Sequence, residues 1–416
     1  MYFYFLCIRI AALLGHKKAQ QLVSGQKETI RRLTAEGGLT SNSPKDGLTA
    51  PIWFHAASVG EFEQARPLIE RLKANGEKRP IVVTFFSPSG YEARKNYDRA
   101  DGIYYLPFAT RRNAKRFLDA LQPSMAIFVK YEFWPAYLRE LKKRNIPTYS
   151  ICAIFRPNQV FFKWWGRTYR KVLQCFTHLF VQDEASQTLL AQYGITNVSV
   201  TGDTRFDRMA AVKENTDANR LTPVAHFAEG CPQVIVAGST WPQDEALLAK
   251  YMEEANAKLI LVPHELNPKH LHYIFNLFRG RIVRYSDVSA MTDAVSRRNI
   301  LQHASVLLVD TMGLLSSIYR FGQVAYIGGG FGVGIHNTIE AAAYGMPVVF
   351  GPNYHHFREA QGLIDAGAAI SIKNYTELAA ALTTGLEQHE YIGHKAAEYV
   401  QSELGTTEKI YKYIFS

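Results

Sequence analysis

The stretch QVAYIGGGFGVGIHNTIEAAAYGMPVVFGP, residues 323–352, decides how the rest of the chain is read. Val324 to Ile327 is a short apolar run, and Gly328, Gly329, Gly330, Gly332 and Gly334 follow it. A helical stretch opens near Asn337, and Val348 to Phe350 is a second apolar run. Strand, glycine-rich loop, helix, strand is the repeating unit of a parallel sheet. Glycines let a backbone come close to a ligand, and the unpaired N–H groups at a helix start attract anions. Glu340 lies in the first turn, where a carboxylate can accept from ribose hydroxyls. A plain capping box, Asn337 with Glu340, accounts for those two residues. It leaves five glycines and His336 unexplained. The loop is neither a GxGxxG dinucleotide fingerprint nor a Walker A loop, since no GK[ST] follows.

Upstream, QVIVAGS (233–239), KLILVPH (258–264), RIVRYS (281–286) and SVLLVD (305–310) have the same strand character. Small or polar residues follow three of these strands: Gly238, Ser239 and Thr240; Pro263 and His264; Asp310, Thr311, Met312 and Gly313. Each set alone reads as an ordinary helix cap, but together they line the carboxyl edge where a nucleotide crevice forms. The N-terminal half repeats the alternation with IWFHAAS (52–58), PIVVTFF (80–86), MAIFVK (125–130), TYSICAIF (148–155) and HLFVQD (178–183). EFEQARPLIERLKANG (61–76) reads as an amphipathic helix ended by Gly76. The pattern breaks between Arg208 and Pro232. The expected architecture is α/β: two tandem doubly wound domains, 36–208 and 233–390, joined by a linker at 209–232. A ligand cleft between the domains is the default site.

The composition suits that size of core. The chain has 416 residues, 47% hydrophobic and 20% charged, which excludes disordered, collagen-like and polytopic membrane classes. Its 47 Lys and Arg against 37 Asp and Glu give a net charge of +10. A basic excess suits phosphorylated substrates or anionic lipid. Nucleic acid is the weaker partner, because no nucleic-acid motif is present. Cys7, Cys152, Cys175 and Cys231 are scattered and lack metal-ligand spacing, so they read as reduced thiols in a cytosolic compartment.

Met1 to Leu14 is apolar except for Arg9, too short to span hydrocarbon, and followed by His16, Lys17, Lys18, Lys27, Arg31 and Arg32. Positive charge after the apolar run is the wrong order for a secretory signal. Residues 1–35 therefore read as a monotopic anchor on an anionic membrane surface, or as a helix packed on its own domain. Deleting the first 20 residues is expected to shift the protein toward the soluble fraction. VFFKWWGRTYRKV (160–172) mixes aromatic and basic residues and suits either a membrane interface or a buried helix.

Three residues of the first domain stand out. Glu61 follows Gly60 at a helix start, where it would be held in place as a general base is. Spacing alone favours a simpler role, as the partner of Ser58 in a capping box. Glu132 sits among Tyr131, Phe133 and Trp134 at a strand end, where a carboxylate is costly unless paired or functional. Arg205, in TGDTRFDR, suits phosphate recognition.

Taken together, WFHAASVGEFEQARPLI, KYEFWP, GDTRFD, AGSTWPQDE, VPHELNP, VDTMGLL and GIHNTIEAAAYGMPVVFGP resemble the 3-deoxy-D-manno-octulosonic acid (Kdo) transferases of lipopolysaccharide assembly. The resemblance runs from the N-terminal segment to about Pro352. It implies a GT-B fold of two Rossmann-like domains, acceptor in the first and donor in the second. It also implies that 391–416 is a helix crossing back to the first domain. The implied reaction is an inverting transfer of Kdo from CMP-Kdo to the lipid A precursor, at the cytoplasmic face of the inner membrane, with no cofactor or essential metal. On the matching motifs Glu61 falls on the general base, and Glu132 and Arg205 on transition-state stabilising groups. Pro263 and His264, Met312 to Leu314 (with Gly313), and Asn337, Thr338, Ile339 and Glu340 fall on CMP-binding segments. The family usually has Arg where His264 stands and Glu where Leu314 stands, which leaves backbone contact with CMP open and those two side chains without an assigned role. Another GT-B enzyme using a UDP-sugar, or a non-catalytic binding protein, would share much of this pattern.

Overall fold

The computed structural model describes residues 2–35, 50–212 and 218–416, which form two units: 1–207 with 405–416, and 208–404. The first unit holds β1 (Ile52–His55), β2 (Ile81–Phe85), β3 (Gly102–Tyr105), β4 (Met125–Val129), β5 (Thr148–Ala153), β6 (His178–Val181) and β7 (Val198–Val200). All pair in parallel, in the order β3-β2-β1-β4-β5-β6-β7. The second unit holds β8 (Val234–Thr240), β9 (Lys258–Pro263), β10 (Ile282–Arg284), β11 (Val306–Leu308), β12 (Val324–Ile327), β13 (Val348–Phe350) and β14 (Ala369–Ser371). Their order is β10-β11-β9-β8-β12-β13-β14, again parallel. These are the two Rossmann-like domains expected. β1, β2, β4, β8 and β12 are almost wholly buried, because helices cover both faces of each sheet.

The order of strands fixes where a ligand can sit. The first sheet's order reverses once, between β1 and β4; the second reverses between β8 and β12, and β11 also folds back inside β10. Loops leaving those neighbouring strands diverge to opposite faces and open a crevice at the carboxyl edge. Glu61 follows β1 and Glu132 follows β4. Gly238 to Thr240 close β8, and the glycine-rich loop follows β12. All four segments therefore stand at the switch point of their own sheet.

The N-terminal segment forms two helices, α1 (Tyr2–Leu13) and α2 (Lys17–Ala35). α2 covers β3, the edge of the first sheet. The Gln26 amide donates to the Leu106 carbonyl at 2.9 Å and accepts from the Phe108 N–H at 3.3 Å. The Tyr105 N–H donates to Thr29 Oγ1 at 3.1 Å. A sheet edge left open would template aggregation, so this segment is part of the domain. α1 buries Phe5 and leaves Tyr4, Leu6, Ile10 and Leu13 exposed, as is Leu14 just beyond it. Among the described residues, no helix is long and apolar enough to cross a membrane. Residues 160–172 divide in the same way. Phe161 and Phe162 point inward, and Trp164, Trp165 and Tyr169 are exposed.

Two boundaries differ from the sequence expectation. The stretch 209–232 contains the helix Ala218–Ala228, whose Val224 and Phe227 are fully buried in the second unit. Its polar composition hid the few apolar positions that pack; residues 213–217 and 36–49 lie outside the described residues. At the other end, the helix His389–Ser402 stays with the second unit, and only Thr406–Phe415 joins the first. Asp207 receives that helix: its carboxylate accepts from the Gly405 and Thr407 N–H groups at 2.7 and 2.6 Å. Ile410 is fully buried, and the Thr406 hydroxyl donates to the Thr201 carbonyl at 2.7 Å.

Candidate functional site

Helix α3 (Val59–Ala74) begins directly after β1. Ser58 is extended, and the Glu61 carboxylate reaches back to the Ser58 N–H at 3.1 Å and to the Ser58 hydroxyl. The capping box expected from spacing is therefore present. Both contacts use Oε2, and Oε1 has no partner among the described residues. Capping fixes the carboxylate and leaves one oxygen available as a base, so the two readings of Glu61 are compatible.

Glu132 is held in the same manner. The Trp134 indole N–H lies 2.6 Å from its Oε2, and His55 Nε2 lies 3.1 Å from the same atom. His55 ends β1 with no exposed surface, and its Nδ1 contacts the Thr84 carbonyl and hydroxyl at 3.1 and 2.9 Å. Thr84 also accepts from the buried Trp53 indole at 2.8 Å. The carboxylate that sequence reading found in costly apolar company is thus partnered, and again only through Oε2.

Arg205 lies in the helix Thr204–Val212 and binds Asp203. Its Nε and Nη2 donate to Asp203 Oδ2 at 2.9 and 2.8 Å. Asp203 is buried and also accepts from Gln64 on α3 and from Gln182 after β6. Burial pushes its carboxyl up, but the Arg205 guanidinium and the donors from Arg205 and Gln64 outweigh it and hold the group below its ordinary value. Asp203 therefore stays anionic and fixes Arg205 against the end of α3.

In the second unit, three rings from three strand ends meet. Trp241 and His264 stack at 5.0 Å, and His264 and His336 at 4.3 Å. The Trp241 indole donates to His336 Nε2 at 3.3 Å. Burial and the neighbouring His264 push His336 down to about 4, so it is neutral near pH 7. His264 is exposed, and its backbone N–H donates to the Thr240 carbonyl at 3.0 Å. Below the rings lie two buried carboxylates. Asp244 accepts from the Gly329 and Trp241 N–H groups, both at 2.9 Å, and from the Tyr326 hydroxyl at 2.7 Å. Glu245 joins Thr240 Oγ1 at 2.9 Å to His270 Nε2 at 2.8 Å. Burial pushes both carboxyls up, against these hydrogen bonds. Ser239, next to last in β8, has a left-handed φ of 55°, so the end of that strand is strained and held by its surroundings.

The glycine-rich loop is organised differently from the sequence expectation. A Cβ on Gly328 would lie 2.4 Å from the Ser239 carbonyl oxygen, and one on Gly330 would lie 2.6 Å from Gly351 Cα. These two glycines give way to neighbouring backbone, not to a ligand. A Cβ on Gly238 would likewise meet the Tyr319 hydroxyl. Only Gly332 faces open space, with its nearest atom 3.9 Å away. The helix begins at Ile339 instead of Asn337 and is five residues long. The Ile339 N–H, expected to face an anion, donates to Asn337 Oδ1 at 3.1 Å, and Asn337 Nδ2 donates to Glu340 Oε1 at 2.9 Å. Thr338 and Ile339 are fully buried, and the Thr338 hydroxyl has no hydrogen-bond partner among the described residues. Pro263 is buried at the end of β9; Met312 and Gly313 are exposed. Leu314 is 3% exposed, so its side chain packs in the core. Asp310 accepts from the Ser286 N–H and hydroxyl at 3.0 and 2.6 Å.

Sequence reasoning missed His55, Trp134, Asp203, Asp244 and Glu245 as individual residues. His55 sits in an apolar strand and looks like core. The others lay inside quoted motifs, and only contacts remote in sequence give them roles. No group of three or more His, Cys, Asp or Glu side chains is placed to hold a metal among the described residues.

Residues 25–208 match a family described as 3-deoxy-D-manno-octulosonic-acid transferase (kdotransferase). The chain is 26% identical over 381 residues to a 3-deoxy-D-manno-octulosonic acid transferase of Rickettsia bellii, covering 90% of this chain and 85% of that protein. It is 26% identical over 353 residues to the enzyme of the same name from Aquifex aeolicus, covering 82% of this chain and 88% of that one. Among solved structures, a UDP-GlcNAc 2-epimerase from Neisseria meningitidis shares the fold, with a TM-score of 0.62 at 16% identity, covering 87% of this chain and 98% of that one. The chain is thus similar over most of its length to Kdo transferases, and its two domains have a GT-B-like fold.

Proposed function

We propose that the protein transfers Kdo from CMP-Kdo to a hydroxyl of a lipid A precursor, with inversion at the anomeric carbon, on the cytoplasmic face of the inner membrane. The observation that carries this reading is the pair of one-sided carboxylates at the switch point of the first sheet. Glu61 and Glu132 are each anchored through Oε2 and each keep Oε1 unpartnered among the described residues. A fixed carboxylate with one open oxygen is what a general base requires.

In this mechanism Glu61 Oε1 takes the acceptor hydroxyl proton as that oxygen bonds to the anomeric carbon. The bond from that carbon to the CMP phosphate oxygen breaks, and CMP leaves with the electron pair. Glu132 and Arg205 stabilise charge in the transition state. Arg205 is suited to this because Asp203 holds its guanidinium in place, and a pre-set cation needs no reorganisation during reaction. CMP is held in the second unit by the loops after β8, β9, β11 and β12, with Asn337 orienting Glu340 toward the ribose.

The N-terminal segment supplies the membrane contact. The exposed apolar face of α1 enters the interface, and Lys17 and Lys18 each add about 1 kcal/mol toward anionic lipid. Trp164 and Trp165 add a second interfacial contact. The test is to incubate the purified protein with CMP-Kdo and a tetra-acylated lipid A precursor and to read product mass. A mass increase of one or more Kdo residues is expected. Turnover with a UDP-sugar and none with CMP-Kdo would replace this reading by that of another GT-B transferase.

A further inference from the structure

We infer that helix α1, besides any contact with the membrane, positions the Glu132 carboxylate, acting through Trp134. This rests on the reading of Glu132 as a group that acts in the transfer.

Glu132 lies on a short turn between β4 and the helix Pro135–Lys143. Lys130, two residues before it, has a left-handed φ of 56°, so the backbone makes a sharp exit from the strand. On such a turn the carboxylate depends on its side-chain partners. One is His55, locked in β1. The other is the Trp134 indole N–H, at 2.6 Å the shorter contact. Trp134 is only half-buried; its N–H also reaches His55 Nε2 at 2.9 Å, and its ring is set by the rings around it.

Those rings come largely from outside the sheet. Phe5 of α1 lies nearly parallel to the Trp134 ring, at 6.4 Å and 20°. Phe86, after β2, lies 5.0 Å from Trp134, and Tyr4 of α1 covers Phe86 at 6.5 Å. Phe5 also stacks on Phe108 at 4.6 Å and is 4% exposed. Its side chain therefore faces the protein, whereas Leu6, Ile10 and Leu13 on the same helix face outward. One helix thus carries two separate surfaces, and the inner one forms a wall of the pocket that aims the indole N–H at Glu132. Phe5 and Trp134 are positioning residues; neither is placed to perform chemistry.

The test uses the full chain with detergent-dispersed acceptor, so that membrane attachment does not enter. Trp134→Phe keeps the ring and loses the N–H. It should lower kcat about 10-fold, with KM for donor and acceptor within about twofold. Phe5→Ala should lower kcat about 3- to 10-fold, and Phe5→Leu, which refills the space, should recover most of it. If Phe5→Ala melts prematurely, Phe5→Leu and Trp134→Phe carry the test. Each change is then repeated in a Glu132→Ala background, where it should have little further effect, because residues acting through one another are not additive. Full additivity there would overturn the inference, since Phe5 would then act independently of Glu132. So would a loss seen only with acceptor in vesicles, which anchoring alone explains. Normal turnover of Glu132→Ala itself would instead remove the role of Glu132, and the inference with it.

Discussion

Replacing Gly330 by alanine separates two uses of the glycine-rich loop. The new Cβ would stand 2.6 Å from both Cα and N of Gly351, where ordinary contact begins at 3.4 Å. The obstacle is backbone, so no side chain can rotate away, and the two segments must part by roughly 1 Å to restore normal contact. They are also tied together by the Asn353 N–H to the Gly330 carbonyl at 2.9 Å, and by Asn353 Nδ2 to the Gly332 carbonyl at 2.8 Å. Overpacking of this kind, with one of those bonds weakened, costs about 2–3 kcal/mol. In a unit of this size that lowers the melting temperature by about 5–10 °C. Gly332→Ala meets nothing closer than 3.9 Å and should melt within about 2 °C of the parent. If the loop holds the nucleotide, Gly332→Ala should nonetheless weaken CMP binding in calorimetry by about 1 kcal/mol or more. A Gly330→Ala protein that melts normally but no longer binds CMP would refute the assignment of Gly330 to backbone packing.

Three further outcomes can be checked directly. Glu61→Gln keeps the cap to Ser58 but cannot accept the proton, so turnover should fall about 100-fold or more at unchanged melting temperature; near-normal turnover would leave Glu61 a cap only. Asp203 has a folded-state pKa below its ordinary 3.8, so the stability it contributes is complete above that value and is lost as pH falls through the lower, folded one. Asp203→Asn should therefore flatten the acid limb of the stability curve below about pH 4, while costing about 3 kcal/mol at pH 7 by removing the buried carboxylate that Arg205 binds; an unchanged acid limb would count against this pairing. Leu6→Ser with Ile10→Ser alters only the outward face of α1 and should reduce sedimentation with anionic vesicles several-fold, with salt weakening the parent further; undiminished binding would move the contact to Trp164 and Trp165.

The strands were legible because a parallel sheet buried on both faces demands continuous apolar runs, as in KLILVPH and SVLLVD. The positions of Glu61, Glu132 and the glycine-rich loop at strand ends followed from the same pattern. What each group touches did not follow. His55 reads as one more residue of a buried strand until β2 brings Thr84 beside it and the turn after β4 brings Glu132. Five glycines in a row of seven look like one device. In space Gly328 and Gly330 serve two different backbone contacts and only Gly332 remains open. The N-terminal segment was read by its length and charge, which describe its outer face; that Phe5 and Gln26 belong to the domain depends on partners about a hundred residues away in sequence.

The route of the chain has a consequence for synthesis in the cell. Asp207 belongs to the first domain, yet the helix it caps is made only after residue 404. At about 10 residues per second, a ribosome needs roughly 20 s to bring that helix out. For that interval the nascent first domain has an open slot where Ile410 will lodge, while the apolar outer face of α1 is already made. If α1 makes the membrane contact proposed above, that contact can precede completion of the domain.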